Sequence, residues 1–412
     1  RKENRTLHLM SEEDALSKVQ KYLHRQGIDR LSPIARKVER EGTPNRRNVV
    51  LVFMESMSAN LMGTFGSDKK LTPYLDSLYQ QSLSFSHFYS SGIHTNHGIY
   101  STLYSFPAIM KRNAMKGSVI PVYSGLPTVL QENGYCNLFF MTHESQYDNM
   151  NAFLRTNGFD EIYAQENYPS EKVVNSFGVQ DDFMYQYALP ILNERAGTGN
   201  PFFSVLLSIS NHPPYVIPPY FHPHSDVLEE QIVEYADWSI RQFMQAAEKQ
   251  PWFDNTIFVF LGDHGKMVGT PECEMPQSYN HIPLMIYGKD IKPGVYDGFG
   301  GQVDVSPTLL GLLNISYLQN NFGVNLLEEE RPCMFFTADN LIGARDSVNM
   351  FIYSPDSQQE FKYKLEEGKL HAATGTDEEA FRNLKDYCFS MLQSTESLVK
   401  EHKTLDKVSV KK

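Results

Sequence analysis

Residues 48–56 read Asn48-Val-Val-Leu-Val-Phe-Met-Glu-Ser56, and the fold class can be argued outward from them. The apolar run 49–54 shows no polar alternation, which is typical of a strand buried on both faces of a parallel sheet. A carboxylate, Glu55, follows the run directly. Because functional groups gather just past the carboxyl ends of parallel strands, this position is a candidate for a functional site.

Short apolar runs of the same kind alternate with segments of helical length. The further runs are Cys136–Met141, Phe202–Ile209, Ile257–Leu261 and Ile282–Tyr287. The helical segments are Pro73–Gln81, Thr128–Asn133, Asp182–Arg195, Leu228–Lys249 and Val303–Leu313. Strands that alternate with helices predict an α/β fold with a mostly parallel central sheet.

Both ends of the chain differ from this alternating region. Residues 1–45 are predicted to form an N-terminal helix, Ser11–Gly27, and a linker, and residues 46–327 one large domain. Residues 328–412 are predicted to form a C-terminal subdomain of antiparallel strands and a helix, packed across the edge of the main sheet. Its predicted elements are Val348–Tyr353, Glu360–Leu365, Lys369–Ala373 and the helix Asp377–Lys400. The expected apolar anchors are Tyr353, Phe361 and Phe389.

The composition argues against several classes of protein. The 412 residues carry 37 Lys and Arg against 49 Asp and Glu, a formal charge of −12, and 41% are hydrophobic. This chain is too apolar for a disordered protein and too acidic for a nucleic-acid-binding one. Its apolar runs are far shorter than the roughly 20 residues that span a bilayer. The chain opens at Arg1 without an initiator Met, so we expect further sequence upstream.

The cysteines carry little functional signal. Cys136, Cys273, Cys333 and Cys388 are widely separated and form no Cys-x-x-Cys pair. This spacing argues against a disulfide scaffold and against a zinc knuckle. We expect packing residues or free thiols, and one long-range disulfide stays open.

A second predicted strand end carries potential metal ligands. Asp263 and His264 follow the run Ile257–Leu261 in the string Gly262-Asp-His-Gly265. Together with Glu55 they offer carboxylate oxygens and an imidazole nitrogen, which are ligands for divalent cations such as Mn²⁺, Mg²⁺ or Zn²⁺. Each residue taken alone also fits a helix cap or a turn. Two glycines around two adjacent ligand types favour the metal interpretation.

Two further segments could act on a substrate beside such a cation. The loop that begins at Ser90 contains Thr95, whose hydroxyl could serve as a nucleophile at a helix N-terminus. The spacing does not separate Thr95 from Ser90, Ser91 or Ser101, and an N-cap is the simpler interpretation. His212, which two prolines follow, suits oxyanion binding or protonation of a leaving group, and equally a turn.

The order of these pieces resembles the sulfatase-like branch of the alkaline phosphatase superfamily, and within it the lipoteichoic acid synthase type of phosphoglycerol transferase. The resemblance extends over residues 48–313. Its markers are residues 48–56, Leu71-Thr-Pro-Tyr-Leu-Asp76, the Thr95 loop, Asn211-His-Pro-Pro214, Gly262-Asp-His-Gly265, His281-Ile-Pro-Leu284 and Val303-Asp-Val-Ser-Pro-Thr308. It implies a three-layer α/β/α fold in which residues 46–327 form the catalytic domain.

The resemblance also implies a chemistry and the residues that perform it. The implied ligands of one divalent cation, Mn²⁺ before Mg²⁺ or Zn²⁺, are Glu55, Thr95, Asp263 and His264. The implied substrate-binding residues are His143, Asn149, His212 and His281. Thr95 would form a phospho-threonine intermediate, with His212 as the second catalytic residue. The implied partners are a phospholipid headgroup donor and an envelope glycan or lipid acceptor, at the extracytoplasmic face of a cell membrane reached through an upstream tether.

The sequence departs from this family at two places. Glycerol-phosphate polymerases carry a Trp and an Arg after the histidine that matches His143, where this chain reads Tyr147-Asp-Asn-Met150. An Arg grips a phosphate bidentately and Met150 cannot, so the headgroup stays open. The basic residue that often accompanies the nucleophile is replaced by Asn96 and His97, and we expect His97 on the surface.

Several alternatives share the fold. A sulfatase needs a Cys or Ser in a C/S-x-P-x-R context, which the Thr95 loop lacks. Phosphoethanolamine transferases usually carry several disulfides, which four scattered cysteines fit poorly. His281 could supply an extra ligand to a two-metal phosphatase or phosphodiesterase. A catalytically silent sensor domain would have no reason to keep four ligand positions, and metal content separates it from the enzymes.

Overall fold

The structure is a computed structural model that describes residues 6–374 and 378–408. Residues 1–5, 375–377 and 409–412 lie outside the described part. The predicted helix start at Asp377 and the outer ends of the predicted terminal regions therefore also lie outside it.

The described residues form fifteen strands and ten α-helices. The strands are β1 (Arg36–Val38), β2 (Asn48–Met54), β3 (Leu83–Tyr89), β4 (Cys136–Phe140), β5 (Glu161–Tyr163), β6 (Phe202–Leu207), β7 (Thr256–Gly262), β8 (Leu284–Tyr287), β9 (Gly294–Gly301), β10 (Tyr317–Gln319), β11 (Met334–Thr337), β12 (Ile342–Arg345), β13 (Asn349–Ser354), β14 (Gln359–Glu366) and β15 (Lys369–Ala372). The helices are α1 (Glu12–Tyr22), α2 (Pro73–Gln81), α3 (Thr95–Tyr104), α4 (Leu126–Glu132), α5 (Met150–Thr156), α6 (Asp181–Ala196), α7 (Leu228–Ala247), α8 (Gln277–Asn280), α9 (Val305–Leu312) and α10 (Glu378–Lys400).

A central sheet of eight strands confirms the predicted α/β class. The strand order is β5-β4-β6-β2-β7-β8-β3-β9, and β8 runs antiparallel to both of its neighbours while all other pairs are parallel. Strand β2 lies inside the sheet between β6 and β7, and every one of its residues is buried. The apolar run 49–54 is unbroken because both faces of the strand are covered, as the sequence indicated.

Helices cover both faces and produce the expected three layers. Val49, Leu51 and Phe53 enter one core together with residues of α3, α4, α5, α9 and α10. Val50 and Val52 enter the opposite core with residues of α2, α6 and α7. Alternate side chains of a strand point to opposite faces, so β2 anchors both layers at once.

Three strands of the central sheet were not predicted. In β3, Ser84, Ser86 and His87 interrupt the aromatic residues, so the segment lacks the continuous apolar signal of β2. The edge strand β9 is rich in glycine and largely exposed in its first half. Strand β5 has three residues only. The predicted helix Ser11–Gly27 begins as expected with Ser11 accepting the Asp14 N–H, but it ends earlier, at Tyr22.

The C-terminal region forms an antiparallel five-stranded sheet, β11 to β15, and the long helix α10. Strands β11 and β12 were missed. Tyr353 packs edge-on against Phe389 at 4.7 Å between ring centroids, while Phe361 joins an apolar cluster shared with Tyr89 of β3 and Phe299 of β9. The subdomain therefore packs at the β9 edge of the central sheet. The boundaries at 45 and 327 stay predictions.

Two observations concern membrane-spanning helices and thiols. In residues 6–374 and 378–408, no helix is both long and apolar enough to cross a bilayer. All four cysteines are free thiols, so the long-range disulfide left open by the sequence does not form.

Helix α3 approaches the end of β7 at a glycine. A Cβ atom placed on Gly98 would lie 2.3 Å from the carbonyl oxygen of Asp263, which is backbone and cannot rotate away. The absence of a side chain at position 98 thus lets the first turn of α3 lie directly against the residue that follows β7. This contact fixes the distance between Thr95, which starts α3, and Asp263.

We expect Gly98→Ala to push α3 away from β7. Overpacking costs about 1–3 kcal/mol, which outweighs the ~1 kcal/mol that alanine gains over glycine in a helix. Thermal unfolding should show a midpoint lowered by roughly 1–2 °C, because the unfolding entropy that divides the energy loss grows with chain length. The matched control is Gly294→Ala, because a Cβ there meets no atom within 4 Å. Equal midpoints for the two variants would contradict the close approach.

Candidate active site

Two carboxylates meet because their strands are parallel neighbours in register. Met54 of β2 pairs with Gly262 of β7, so Glu55 and Asp263 are the next residues on adjacent strands. The Ser56 N–H donates to Asp263 Oδ1 at 2.9 Å, and both carboxylate side chains are fully buried. Parallel strands in register thus bring together two acidic groups that are 208 positions apart in the chain.

Thr95 lies between these carboxylates. It is the first residue of α3, and its hydroxyl oxygen is 3.0 Å from Glu55 Oε2 and 2.8 Å from Asp263 Oδ2. The side chain is partly exposed, so a substrate can reach it. A helix N-terminus also presents unpaired N–H groups and a positive dipole end to an anion.

The other candidate hydroxyls of this segment form hydrogen bonds with backbone groups away from the carboxylates. Ser90 Oγ donates to the Gly92 carbonyl at 2.7 Å, and Ser101 Oγ donates to the Phe106 carbonyl at 2.8 Å. Ser91 Oγ accepts the Ala108 N–H at 2.7 Å. Among the four hydroxyls that the sequence left open, the structure places Thr95 against the carboxylates.

His264 completes the cluster. Its Nδ1–H donates to the Gly265 carbonyl at 2.7 Å, which leaves Nε2 at 3.5 Å from both Glu55 Oε1 and Asp263 Oδ2. One ligand atom from each of Glu55, Asp263 and His264 lies within 4.8 Å of the other two. The backbone bend after His264 needs Gly265, because a Cβ there would lie 1.9 Å from the Ser278 carbonyl oxygen.

The chemistry of this donor set fits a divalent cation. Burial raises the pKa of Asp263, and the Glu55 carboxylate raises it further, so two ionised carboxylates here need a counter-charge. Burial lowers the pKa of His264, but the two carboxylates outweigh it and raise that pKa to about 10. Two carboxylates, one imidazole and one hydroxyl are the ligand types that Mn²⁺, Mg²⁺ and Zn²⁺ take.

His143 and His212 lie near the cluster, and the rings of both are oriented by a hydrogen bond from Nδ1–H to a backbone carbonyl. Nδ1–H of His143 donates to the Glu144 carbonyl at 2.9 Å, and Nδ1–H of His212 donates to the Pro213 carbonyl at 2.6 Å. The His264 ring is held in the same way, so in all three histidines Nε2 is the nitrogen left for a ligand. Both His143 and His212 are close enough to Glu55 for their charges to interact.

The structure places Asn149 and His281 differently. Asn149 Nδ2 donates to the Met115 carbonyl at 2.8 Å, which uses the amide to hold one loop to another. His281 Nε2 donates to the Ser86 carbonyl at 2.8 Å, and its ring stacks on Tyr89 at 5.3 Å between centroids. Both side chains are therefore engaged in structural contacts, and their substrate-binding roles stay predictions.

The expected surface position of His97 is wrong. His97 is buried, and its Nε2–H donates to the Arg112 carbonyl at 2.9 Å. Burial lowers its pKa to about 3, so the ring is neutral and cannot replace a basic partner of the nucleophile. Residues 97–104 of α3 are all buried, and the lack of any Asp, Glu, Lys or Arg in this ten-residue helix could have signalled that.

Two residues near the site were not identified from the sequence. Lys266 follows the Gly-Asp-His-Gly string directly, and its Nζ donates to Asn211 Oδ1 at 2.6 Å, beside His212. Asp339, in the turn between β11 and β12, accepts from His94 Nε2 at 2.6 Å. Because Lys266 directly follows Gly262-Asp-His-Gly265, the sequence could have identified it as a candidate site residue. Nothing in the sequence connects Asp339 with His94, because the contact depends on how the C-terminal sheet packs.

The chain is similar to known proteins of one family. The sulfatase family model matches residues 47–315. A lipoteichoic acid synthase-like protein of Bacillus subtilis, YvgJ, is 25% identical over 324 residues, which cover 70% of this chain and 51% of that protein. Lipoteichoic acid synthase of Staphylococcus aureus is 24% identical over 400 residues, which cover 85% of this chain and 58% of that protein. The chain thus spans about half the length of these relatives.

Solved structures show the same fold. The crystal structure of a protein in the alkaline phosphatase superfamily from Vibrio parahaemolyticus matches with a TM-score of 0.86 and 26% identity, covering 96% of this chain and 97% of that one. Lipoteichoic acid synthase LtaP from Listeria monocytogenes matches with a TM-score of 0.75 and 22% identity, covering 93% and 98%. From the matched family model, these likenesses and the cluster around Thr95, we conclude that the chain belongs to the sulfatase family and has the alkaline phosphatase superfamily fold.

Proposed function

We propose that the chain is a metal-dependent transferase that moves a phosphoglycerol-type group through a phospho-threonine intermediate on Thr95. The observation that carries this proposal is the Thr95 hydroxyl oxygen at 3.0 Å from Glu55 Oε2 and 2.8 Å from Asp263 Oδ2. The similarity to lipoteichoic acid synthases supports a phosphodiester substrate. The proposed donor is a membrane phospholipid and the acceptor an envelope glycan or lipid, at the extracytoplasmic face of the membrane.

Glu55, Asp263, His264 and Thr95 would hold the cation, for which we favour Mn²⁺. When bound, such a cation lowers the pKa of a coordinated hydroxyl and neutralises charge on phosphoryl oxygens. The chain itself contributes position: the strand ends fix the two carboxylates, and Gly98 lets α3 bring Thr95 between them. The N-terminus of α3 adds a fixed positive dipole end where the phosphate would bind.

The reaction balances in two steps. Thr95 Oγ loses its proton to solvent and forms a bond to phosphorus as the bond to the donor's leaving oxygen breaks, and that oxygen takes up a proton from His212. An acceptor hydroxyl then gives its proton to His212 and bonds to phosphorus as the bond between phosphorus and Thr95 Oγ breaks, and Thr95 Oγ regains a proton from solvent. We assign His212 to the proton transfer and His143 to binding phosphoryl oxygens, because each presents Nε2 while Nδ1 is held by a backbone carbonyl.

The headgroup pocket differs from that of a glycerol-phosphate polymerase. Where an Arg and a Trp would stand, Met150 is buried at the start of α5, and Tyr147 packs against His143 at 4.8 Å between ring centroids. Asp148 and Asn149 adopt left-handed backbone conformations that shape this turn. A half-exposed phenol with no guanidinium suits a neutral headgroup hydroxyl better than a second phosphate.

Thr95→Ala should remove turnover of a phosphodiester reporter such as bis(p-nitrophenyl) phosphate. Loss of a covalent nucleophile costs at least roughly 10³-fold in kcat. The fold should stay intact with a slightly lowered unfolding midpoint, because Thr95 is partly exposed and only its hydroxyl beside the carboxylates is lost. The control on the same helix is Thr102→Val, since the buried Thr102 hydroxyl has no hydrogen-bond partner among the described residues. Full activity in Thr95→Ala would refute the nucleophile assignment.

Removal of metal should abolish activity and lower stability together. After chelation, addition of Mn²⁺ should restore turnover and raise the unfolding midpoint, because a ligand at 100 times its Kd stabilises by about 2.7 kcal/mol. Asp263→Asn should lose both responses. Activity that is indifferent to chelator, or a Mn²⁺ shift that persists in Asp263→Asn, would contradict this site.

A further inference from the structure

The loop of residues 106–122, which connects α3 to α4, exposes apolar side chains. Val119 is 81% exposed, and Ile120 and Val122 are 37% and 46% exposed. Single exposed apolar residues are common on soluble proteins, but three within four positions of one loop form a patch. We call residues 106–122 the rim loop.

The rim loop is fixed beside the candidate active site. The Arg112 carbonyl accepts from His97 in the first turn of α3, and the Met115 carbonyl accepts from Asn149 at 2.8 Å. Asn113 Nδ2 also donates to the Asp148 carbonyl at 3.4 Å. These bonds tie the loop both to the helix that begins with Thr95 and to the segment that follows His143.

The segment to which the rim loop is bonded carries exposed side chains of its own. Tyr147 is 43% exposed, and its ring lies between His143 at 4.8 Å and Phe177 at 6.3 Å. Phe177 in turn packs against His212 at 4.3 Å, and the neighbouring Val174 is exposed. Tyr147 and Phe177 therefore contact both histidines that the proposed reaction uses.

The charge of the rim loop is opposite to that of the chain. Residues 106–122 contain Lys111, Arg112 and Lys116 and no Asp or Glu, although the whole chain carries −12. Arg112 is paired with Glu396, and Lys116 Nζ is 3.8 Å from Asp148. The side chains of Lys111 and Lys116 are exposed to solvent. Apolar tips flanked by lysines are the pattern of a segment that lies in the interface of an anionic bilayer.

We propose that the rim loop docks on an anionic lipid surface, with Val119 and Ile120 in the headgroup boundary and the lysines at the phosphates. This docking would place the mouth of the site at the membrane interface, where a lipid-linked donor presents its headgroup. The role given to the docking therefore rests on the proposed function. A protein partner is the weaker explanation, because three small side chains offer far less than the ~800 Å² per partner of a stable protein interface.

The test is sedimentation of the chain with vesicles of equal parts phosphatidylserine and phosphatidylcholine. Phosphatidylserine supplies negative charge without a glycerol headgroup, so the assay measures surface docking. We expect the wild-type chain to bind these vesicles better than pure phosphatidylcholine, and Val119→Asp to bind about fivefold less or weaker still. Lys116→Glu should weaken binding several-fold and reduce its salt dependence. The control is Val348→Asp, at a valine that is 51% exposed in the turn before β13, which should bind like wild type.

Two outcomes overturn the proposal: a wild-type chain that does not sediment with anionic vesicles, and a Val119→Asp variant that binds like wild type. Hydrolysis of the soluble diester reporter is measured in parallel and should be unchanged in Val119→Asp, which lies outside the catalytic cluster. An inactive wild-type chain that still docks through Val119 would refute the proposed function alone. An active chain whose docking ignores Val119 would refute the rim loop alone.

Discussion

The juxtaposition of Glu55 and Asp263 is the constraint on which the rest of the site depends. Both carboxylates are fully buried at the ends of adjacent parallel strands, with ligand atoms that lie within 4.8 Å. Two like charges at that separation repel by roughly 3–4 kcal/mol at an effective dielectric constant of about 20. The fold can keep them only with compensating groups, which are the His264 imidazole, the Thr95 hydroxyl and, in our account, a divalent cation. Two buried carboxylates held this close together favour the binding of a positive charge.

The C-terminal sheet has a part in this arrangement that its sequence did not suggest. Thr337 of β11 donates its N–H to the Ser91 carbonyl at 2.8 Å, and Arg345 Nη1 donates to the Tyr89 hydroxyl at 3.0 Å. Together with the Asp339–His94 bond, these contacts hold the segment that leads into α3. The subdomain thus supports the segment that leads to Thr95, and it ties the edge of the central sheet to the candidate nucleophile.

Sequence reasoning succeeded where the signal was local. The unbroken run 49–54 identified a strand buried on both faces. The Gly262-Asp-His-Gly265 string pointed to Asp263 and His264, which the structure places beside Glu55, and close backbone approach requires the glycine at 265. It failed where tertiary packing decides. His97 is buried by a loop that returns to α3, and Asp339 reaches His94 across 245 positions. No local pattern encodes either contact. The strands β3 and β9 were missed because serines and glycines replace the apolar residues of a typical buried strand.

The central claim is that one divalent cation binds between the two strand ends and touches Thr95. Anomalous diffraction at the manganese edge, from crystals grown with Mn²⁺ and inorganic phosphate, tests it most directly. The account predicts a single strong peak enclosed by Glu55, Asp263, His264 and Thr95, with phosphate beside the N-terminus of α3. A peak coordinated by other residues, or no peak between the two carboxylates at saturating Mn²⁺, would contradict it.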